Sequence, residues 1–240
     1  MRGKRVAIIQ TNYIPWKGYF DIINMVDEFI LYDDRQFTLR DWRNRNLIKT
    51  ADGLRWLTIP VMVKGRFTQR INETMVSDPT WTERHWKSIS QAYARAPYFE
   101  TYEEKIRNLY TTPSETKLSD INRRFLTTFC GLLGISTLFS WSSDYPASGD
   151  RTARLVDLCR LAQATEYLSG PAARAYLDEA MFRDSGIALT YMDYSGYPEY
   201  PQLHGPFEHG VSILDLLFNT GPAAPRYLKS FGSLSQPDKS

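Results

Sequence analysis

A strand, a polar loop and a helix follow one another in the N-terminal segment Val6–Phe20, which reads VAIIQTNYIPWKGYF. The apolar run Val6–Gln10 is typical of a short buried strand, and Trp16–Met25 carries apolar side chains at helical spacing. A second apolar run, Glu28–Tyr32, follows the helix. Two strands joined through a helix of this length form a right-handed βαβ unit, so the segment predicts a parallel pair of strands.

The remainder of the chain predicts a hairpin, followed by alternating helices and strands. Asn46–Lys49 and Arg55–Pro60 are predicted strands joined at Asp52-Gly53, a dipeptide typical of hairpin turns. Ile71–Val76 is predicted as a further strand. The later helices are predicted over Thr82–Arg95, Tyr98–Leu109, Lys117–Leu133, Asp150–Gln163, from Pro171 onward and over Val211–Phe218, and the later strands over Ser136–Phe139, Glu166–Ser169 and Ile187–Tyr191.

This order of elements predicts an α/β fold of the Rossmann-like kind. A mainly parallel sheet carries helices on both faces, together with a β-hairpin and a helical insertion over about residues 80–135. We expect one domain over residues 1–230 and a disordered tail over residues 231–240.

Composition restricts the classes of function. The net charge of +2 is far below that of a strongly basic nucleic-acid-binding protein. No apolar run approaches the roughly 20 residues needed to span a bilayer, and no signal peptide is recognisable, so we expect a cytoplasmic protein. Cys130 and Cys159 lie in apolar helical surroundings, which predicts buried free thiols, and no metal-ligand spacing occurs. Motifs of serine hydrolases, P-loop NTPases and dinucleotide-binding proteins are absent.

The loop after the first strand is the first candidate site. Ligands of parallel sheets bind at the carboxyl ends of strands, and a helix N-terminus favours anions. We therefore predict that Gln10, Asn12, Tyr13 and Trp16 bind the substrate, while Gly18 permits the close approach of a ligand or of another chain segment. The alternative is that this loop only shapes the turn into the helix.

Two further strand ends are predicted to lie at the same edge of the sheet. Asp33 and Asp34 follow the second strand, where a carboxylate would bind a hydroxyl or an amine, or act as a general base. Ser169 ends a later strand in YLSGP and is predicted to form a second half of the site. For both, the alternative is a solvated strand end.

A basic segment and three histidines complete the candidates. Arginine forks suit phosphates and a tryptophan can stack on a base or sugar, so a substrate phosphate is one interpretation and a solvated loop the other. Each histidine is a candidate acid, base or ligand, with simple packing as the alternative, and we predict Asp33, Asp34, His85 and His204 as the catalytic residues. The residues concerned are Arg40, Trp42, Arg43, Arg45, His85, His204 and His209.

Eight segments from about Arg5 to Gly221 carry a resemblance to a known family. They are IIQTNYIPWKGYFDII, VDEFILYDD, RDWRNRN, LTIPV, the helix with His85-Trp86, YLSGP, Tyr200–Gln202 and SILDLLFNTG. Together they resemble the WbqC-like family of bacterial proteins. The resemblance adds Gln202 as a substrate-binding candidate. It implies O-antigen, other lipopolysaccharide-type surface-sugar or natural-product biosynthesis, with group transfer on an amino sugar or nucleotide-linked sugar.

The first strand, loop and helix are also similar to the start of HIGH-type nucleotidyl-transferases such as pantothenate synthetase. Those enzymes place nucleotide phosphates at the helix N-terminus. Trp16–Tyr19 stands here where their signature histidines would be, so adenylylation through those histidines is not implied.

The leading hypothesis is an acyl- or aminoacyl-transferase that modifies the amine of an amino sugar. Asp33 or a histidine accepts the amine proton, Gln10–Tyr13 orient the substrate, and Arg43 and Arg45 hold a phosphate-bearing donor. The donor is a coenzyme thioester, an aminoacyl-tRNA or another activated acid. The alternatives are a nucleotidyl-transferase-like enzyme and a non-catalytic partner of a glycosyltransferase complex. The cofactor and the oligomeric state stay open.

Overall fold

A five-stranded parallel sheet forms the centre of the computed structural model, which describes residues 3–112 and 115–232. In chain order its elements are β1 Arg5–Ile9, α1 Lys17–Asn24, β2 Glu28–Leu31, β3 Arg45–Thr50, β4 Gly53–Thr58, α2 Trp81–Tyr93, α3 Phe99–Thr111, α4 Leu118–Leu133, β5 Leu138–Trp141, α5 Arg151–Leu161, β6 Glu166–Ser169, α6 Glu179–Asp184, β7 Ala188–Tyr191 and α7 Ile213–Thr220. The predicted α/β class, with its parallel sheet and separate hairpin, is confirmed.

Helices cover both faces of the sheet. Successive side chains of a strand point to opposite faces, and the central strands carry apolar side chains on both, so each face needs a covering layer. Ala7 and Phe29 belong to a large core that includes residues of α1–α4 and α7. Val6, Ile8 and Ile30 belong to a smaller core with residues of α5 and α6. The central strands are thus buried on both sides, which explains their continuous apolar sequence.

The β3–β4 hairpin stands apart from the parallel sheet. Gly53 has φ +106, a backbone conformation that L side chains rarely adopt, which explains the glycine of the Asp52-Gly53 turn. Ile48 and Leu57 point into the large core, while most of β4 is exposed. Helices α2–α4 lie between β4 and β5 in the chain, within the predicted insertion. The last of them ends at Leu133, as predicted, and Gly134 follows it in the left-handed conformation with φ +76.

The strand predicted over Ile71–Val76 is wrong. Ile71–Glu73 form a 3-10 turn, and Met75 and Val76 make only isolated bridges. The turn forms because the Glu73 carboxylate accepts a hydrogen bond from the Arg70 N–H, which curls the backbone back on itself. Such reciprocal capping overrides the β propensity of the apolar residues.

The helix predicted from Pro171 onward changes at its start. Pro171 begins a 3-10 helix, Pro171–Ala175, and the next α-helix starts only at α6. Lys229–Phe231 form another 3-10 turn, held because the backbone N–H groups of Lys229 and Ser230 donate to the buried Asp21 carboxylate. The tail predicted over residues 231–240 lies, apart from its first two residues, outside the described residues.

Cys130 and Cys159 are free and buried, and burial raises the pKa of each thiol to about 12.

The sheet reverses its direction of growth at β1. The strand order is β5-β2-β1-β6-β7, so the chain first builds outward from β1 through β2 to β5. It then crosses back and adds β6 and β7 on the other side of β1. The connections on either side of such a reversal diverge, which leaves a crevice outside the carboxyl ends of β1 and β6. In the described part of the chain, no helix has the length and apolar character to cross a membrane.

Candidate functional site

A cavity of about 720 Å³ lies at this reversal of strand order. Gln10 follows β1, Tyr32 follows β2, and Ser169 and Gly170 end β6, so three strand ends contribute to its wall. The 3-10 helix after β6 and the first residue of α5 close the opposite side. The full set of lining residues includes Ile8, Ile9, Asn12, Trp16, Tyr19, Arg35, Trp42, Arg43, Arg151, Leu155, Tyr167, Pro171, Ala172, Ala173, Tyr176, Leu177 and Tyr194.

Three arginines give this cavity a positive character. Arg43 donates from Nη1 to Asn12 Oδ1 and, at 3.4 Å, to the Gln10 carbonyl, so its guanidinium is anchored in the loop after β1. Arg35 lies with its guanidinium 4.6 Å from the centre of the Tyr32 ring. Arg151 begins α5. Among the described residues that line this cavity none is a carboxylate, so the site suits an anion such as a phosphate.

Aromatic side chains form much of the remaining wall. The Trp16 and Tyr194 rings meet edge to face with centroids 5.1 Å apart. Tyr32 follows β2, Tyr167 lies within β6, and Tyr176 follows the 3-10 helix after β6. Such surfaces bind planar bases and sugar rings through apolar contact while their polar edges accept or donate hydrogen bonds.

Gly18 determines where the Trp16 indole lies. A Cβ atom at Gly18 would be 2.3 Å from the Trp16 ring, which is far inside van der Waals contact. The close approach predicted at Gly18 is therefore made by this indole. Because Trp16 lines the large cavity, Gly18 shapes the site without touching its interior.

A smaller cavity of about 290 Å³ adjoins the first. Asn12, Trp16 and Trp42 line both cavities, so the two share one wall. The smaller cavity is completed by Pro15, Asn46, His209 and Gly210. Burial, and then the charge of Lys17, lower the pKa of His209 below its usual 6.5, so the imidazole is neutral at pH 7 and able to accept a proton.

The chain matches the model of the WbqC-like protein family over residues 10–227. It belongs to the WbqC-like family. This WbqC-like protein is also 52% identical over 226 residues to the Mycobacterium tuberculosis protein named Uncharacterized protein Rv1507c, and the match covers 94% of this chain and 98% of that protein. No solved structure matches it significantly.

Six of the predicted substrate-binding residues of this WbqC-like protein lie together. They line the larger cavity and are Gln10, Asn12, Trp16, Trp42, Arg43 and Ser169. They come from the loop after β1, the segment before β3 and the end of β6, which are far apart in the chain. Their assignment to a substrate stays a prediction.

The two aspartates after β2 lie beneath the site and line neither cavity. The Asp33 carboxylate is buried and accepts hydrogen bonds from Thr11 N at 2.8 Å, Thr11 Oγ1 at 2.7 Å and Ser119 Oγ at 2.6 Å. Burial raises its pKa. Asp34 forms an ion pair with Arg154. Both side chains therefore hold the loops around the site in place.

Tyr13 and His85 are buried together below the smaller cavity wall. The Tyr13 hydroxyl lies 2.9 Å from His85 Nδ1 and 2.9 Å from the Tyr110 hydroxyl. His85 Nε2 lies 3.1 Å from the Thr58 carbonyl, so both ring nitrogens have partners. Burial lowers the pKa of His85 to about 4, which keeps it neutral. These side chains attach α2 and α3 to the loop after β1.

Four other predicted residues lie outside both cavities. His204 Nε2 pairs with the Ala92 carbonyl, and Gln202 pairs with Lys49. Arg45 stacks on an exposed tryptophan, and its guanidinium donates to the Arg40 carbonyl. Across residues 3–112 and 115–232, no three His, Cys, Asp or Glu side chains are grouped so as to hold a metal ion.

Several residues that line the two cavities are not among the site residues predicted from the sequence. Arg35 directly follows the aspartate pair, and Arg151 opens a helix, so both stand at positions from which a site is commonly built. Tyr176 and Tyr194 lie in irregular segments without periodicity. His85 and His204 are the predicted catalytic histidines, whereas in the folded chain His209 is the one of the three that lines a cavity.

Proposed function

We propose that this protein is a group transferase that moves an acyl or aminoacyl group onto the amine of a nucleotide-linked amino sugar. The observation that carries the proposal is the pair of cavities sharing the wall of Asn12, Trp16 and Trp42. A transfer reaction needs two reactants held next to each other, and two joined cavities meet that need.

The larger cavity suits the nucleotide-linked sugar. Arg35, Arg43 and Arg151 match the charge of a diphosphate, and the aromatic wall matches a base or sugar ring. A position at the reversal of strand order agrees with how parallel α/β sheets bind nucleotides. The family's link to surface-sugar or natural-product pathways, implied by the sequence, supports the same substrate class.

The smaller cavity suits the acyl group and the base. The amine nitrogen attacks the acyl carbonyl carbon, a C–N bond forms, and the bond from that carbon to the donor's sulfur or oxygen breaks. The neutral His209 imidazole accepts the proton from the amine and returns it to the leaving thiol or alcohol. Asn12 supplies an amide group beside this position. His209 replaces Asp33 and His85 as the base because both of these are buried with satisfied partners.

Calorimetric titration with a uridine diphosphate sugar tests the binding half of the proposal. A hydrogen bond to a charged group contributes about 1.5–3 kcal/mol, so Arg35→Gln and Arg151→Gln should each raise Kd about 10- to 150-fold. The matched control is Arg183→Gln, which removes a guanidinium whose side chain is 76% exposed and lies outside both cavities. Equal affinities in all four proteins would contradict the proposed phosphate site.

Mass spectrometry tests the transfer half. When the wild-type protein is given an amino-sugar nucleotide and an acyl thioester or aminoacyl ester, the mass of the sugar nucleotide should increase by that of the acyl group. His209→Gln should reduce the rate of this transfer with little change in the affinity for the sugar nucleotide. Magnesium-dependent release of pyrophosphate from a nucleoside triphosphate would instead support a nucleotidyl-transferase. Tight sugar-nucleotide binding without any product would support a non-catalytic partner of a glycosyltransferase complex.

A further inference from the structure

The positive charge of this chain is concentrated in one segment. Residues 36–70 contain eight Lys or Arg and two Asp, a net charge of +6, whereas the whole chain carries +2. The segment comprises the approach to β3, the β3–β4 hairpin and the loop that follows. Lys49 is buried, and the other seven cations are at least partly exposed. A nearly neutral protein thus presents one basic region, which matches the polyanionic backbone of a nucleic acid.

Three side chains of this region, Trp42, Arg45 and Trp56, contact one another and form a platform. The Arg45 guanidinium lies 4.1 Å from the centre of the Trp56 ring, and the rings of Trp42 and Trp56 have centroids 5.4 Å apart. Both tryptophans are 43% exposed. Large aromatic rings at a basic surface are the groups on which unpaired bases stack.

The hairpin register explains why the platform faces solvent. Trp56 pairs across the strands with Leu47, and Arg45 pairs with Thr58, so Arg45 and Trp56 lie on one face. The opposite face carries Ile48, which is fully buried in the large core. The platform is therefore the outer face of a hairpin whose inner face is anchored.

A second exposed ring lies in the same basic region. Phe67 is 84% exposed and sits beside Lys64 and Arg66 in the loop after β4. This loop is joined to the segment before the hairpin, because Gln36 Nε2 donates to the Phe67 carbonyl and Phe37 N donates to the Gln69 carbonyl. The loop thus adds an exposed aromatic ring and two basic side chains to this region, the two kinds of side chain that line channels for single-stranded nucleic acids.

The platform is continuous with the candidate site. Trp42 stacks towards Trp56 on the outside and lines both cavities on the inside. A chain stacked on the platform would have its end at the wall that Asn12 and Trp16 also form. The surface is placed to deliver a terminal group into the smaller cavity.

We propose that this surface binds the single-stranded 3′ end of an RNA that carries an ester-linked aminoacyl group. The inference rests on the proposed transfer function and names the donor. Bases stack on Trp56 and Trp42, and Arg45 and the neighbouring basic side chains contact phosphates. The sugar amine attacks the ester carbonyl carbon, the C–N bond forms, the ester C–O bond breaks, and the ribose hydroxyl leaves with the proton passed on by His209.

Fluorescence anisotropy with a labelled single-stranded RNA of twelve nucleotides ending in CCA tests the inference. One stacked base contributes about 1–3 kcal/mol, so Trp56→Ala should raise Kd about 5- to 150-fold, and Arg45→Gln should weaken binding and flatten its salt dependence. With about three phosphates contacted, the wild-type slope of log K against log salt should be about −2. Leu138→Ala, which removes another exposed apolar side chain, is the matched control.

Three results would overturn the inference. The first is equal RNA affinity in wild type and Trp56→Ala. The second is a loss of binding to phosphatidylglycerol vesicles, without loss of RNA binding, in the same variant. The third is transfer to the sugar from a thioester but never from an aminoacyl-RNA, which leaves the transferase proposal standing. A urea unfolding transition like that of the wild type shows that the Trp56→Ala variant is folded. If the wild-type protein binds no sugar nucleotide at all, that result contradicts the proposed transferase function itself, and not only the RNA-binding surface.

Discussion

Replacement of Asp33 separates a structural role for this carboxylate from a chemical one. The buried carboxylate accepts from the Thr11 N–H, the Thr11 hydroxyl and the Ser119 hydroxyl. Each buried donor left without a partner costs about 1–3 kcal/mol, and a hydroxyl can turn towards another acceptor whereas the backbone N–H cannot. We therefore expect Asp33→Ala to lower the free energy of unfolding by about 4 kcal/mol.

Asp33→Asn should lower the free energy of unfolding by only about 1 kcal/mol. The amide oxygen still accepts from the Thr11 N–H, and the hydroxyl of Ser119 can rotate to accept from the amide NH2. Urea unfolding at pH 7, followed by tryptophan fluorescence, gives these free energies. The control is Asp184→Asn, at a side chain that is 76% exposed, where a change within about 0.5 kcal/mol is expected.

Either of two results would refute the reasoning. If Asp33→Asn unfolds at the wild-type urea concentration and binds sugar nucleotide as the wild type does, yet transfers no acyl group, the carboxylate takes part in the reaction. If Asp33→Ala is as stable as the wild type, the hydrogen-bonded arrangement around Asp33 contributes nothing.

Three other changes test the surroundings of the site. Gly18→Ala should displace the Trp16 indole and weaken sugar-nucleotide binding at least tenfold in calorimetry, whereas Gly131→Ala, with no atom within 4 Å of the added Cβ, should not. The pKa of His85 is lowered from 6.5 to about 4, so between these pH values the folded state binds fewer protons than the unfolded state. The free energy of unfolding should therefore fall by up to about 3 kcal/mol as the pH falls from 6.5 towards 4. His85→Gln should remove that pH dependence from urea unfolding. The pKa of Lys17 is lowered from 10.5 to about 8 by burial, so stability should rise with pH between those values in the wild type and not in Lys17→Met.

The centre of the sheet could be predicted from sequence because the strands β1 and β2 are buried on both faces. Val6–Gln10 and Glu28–Tyr32 are continuous apolar runs ended by polar residues, and Gly53 occupies a turn position that few other residues tolerate. The region around Ile71 was mispredicted, since local capping by Glu73 decided its backbone and propensity alone favoured a strand.

The candidate site was only half visible in the sequence. The loop after β1 and the end of β6 stand out because polar side chains follow apolar strands directly. Which polar groups reach the cavity depends on the direction in which each side chain points and on which loops meet. Asp33 and Gln10 both follow strands, yet Asp33 is covered by Thr11 and Ser119 whereas Gln10 lines the cavity. No pattern within one segment records that difference.

The place of β1 in the sheet has a consequence for how the chain acquires its shape during synthesis. β1 is made first and pairs early with β2, whose partner residues lie 22 positions along the chain. Its other edge pairs with β6, for which Arg5 meets Glu166. Until the ribosome has released β6, the apolar strand Arg5–Ile9 keeps an open edge, the kind of surface on which nascent chains aggregate. The crevice between β1 and β6 is therefore completed late in synthesis. N-terminal fragments that stop before β6 should aggregate in solution.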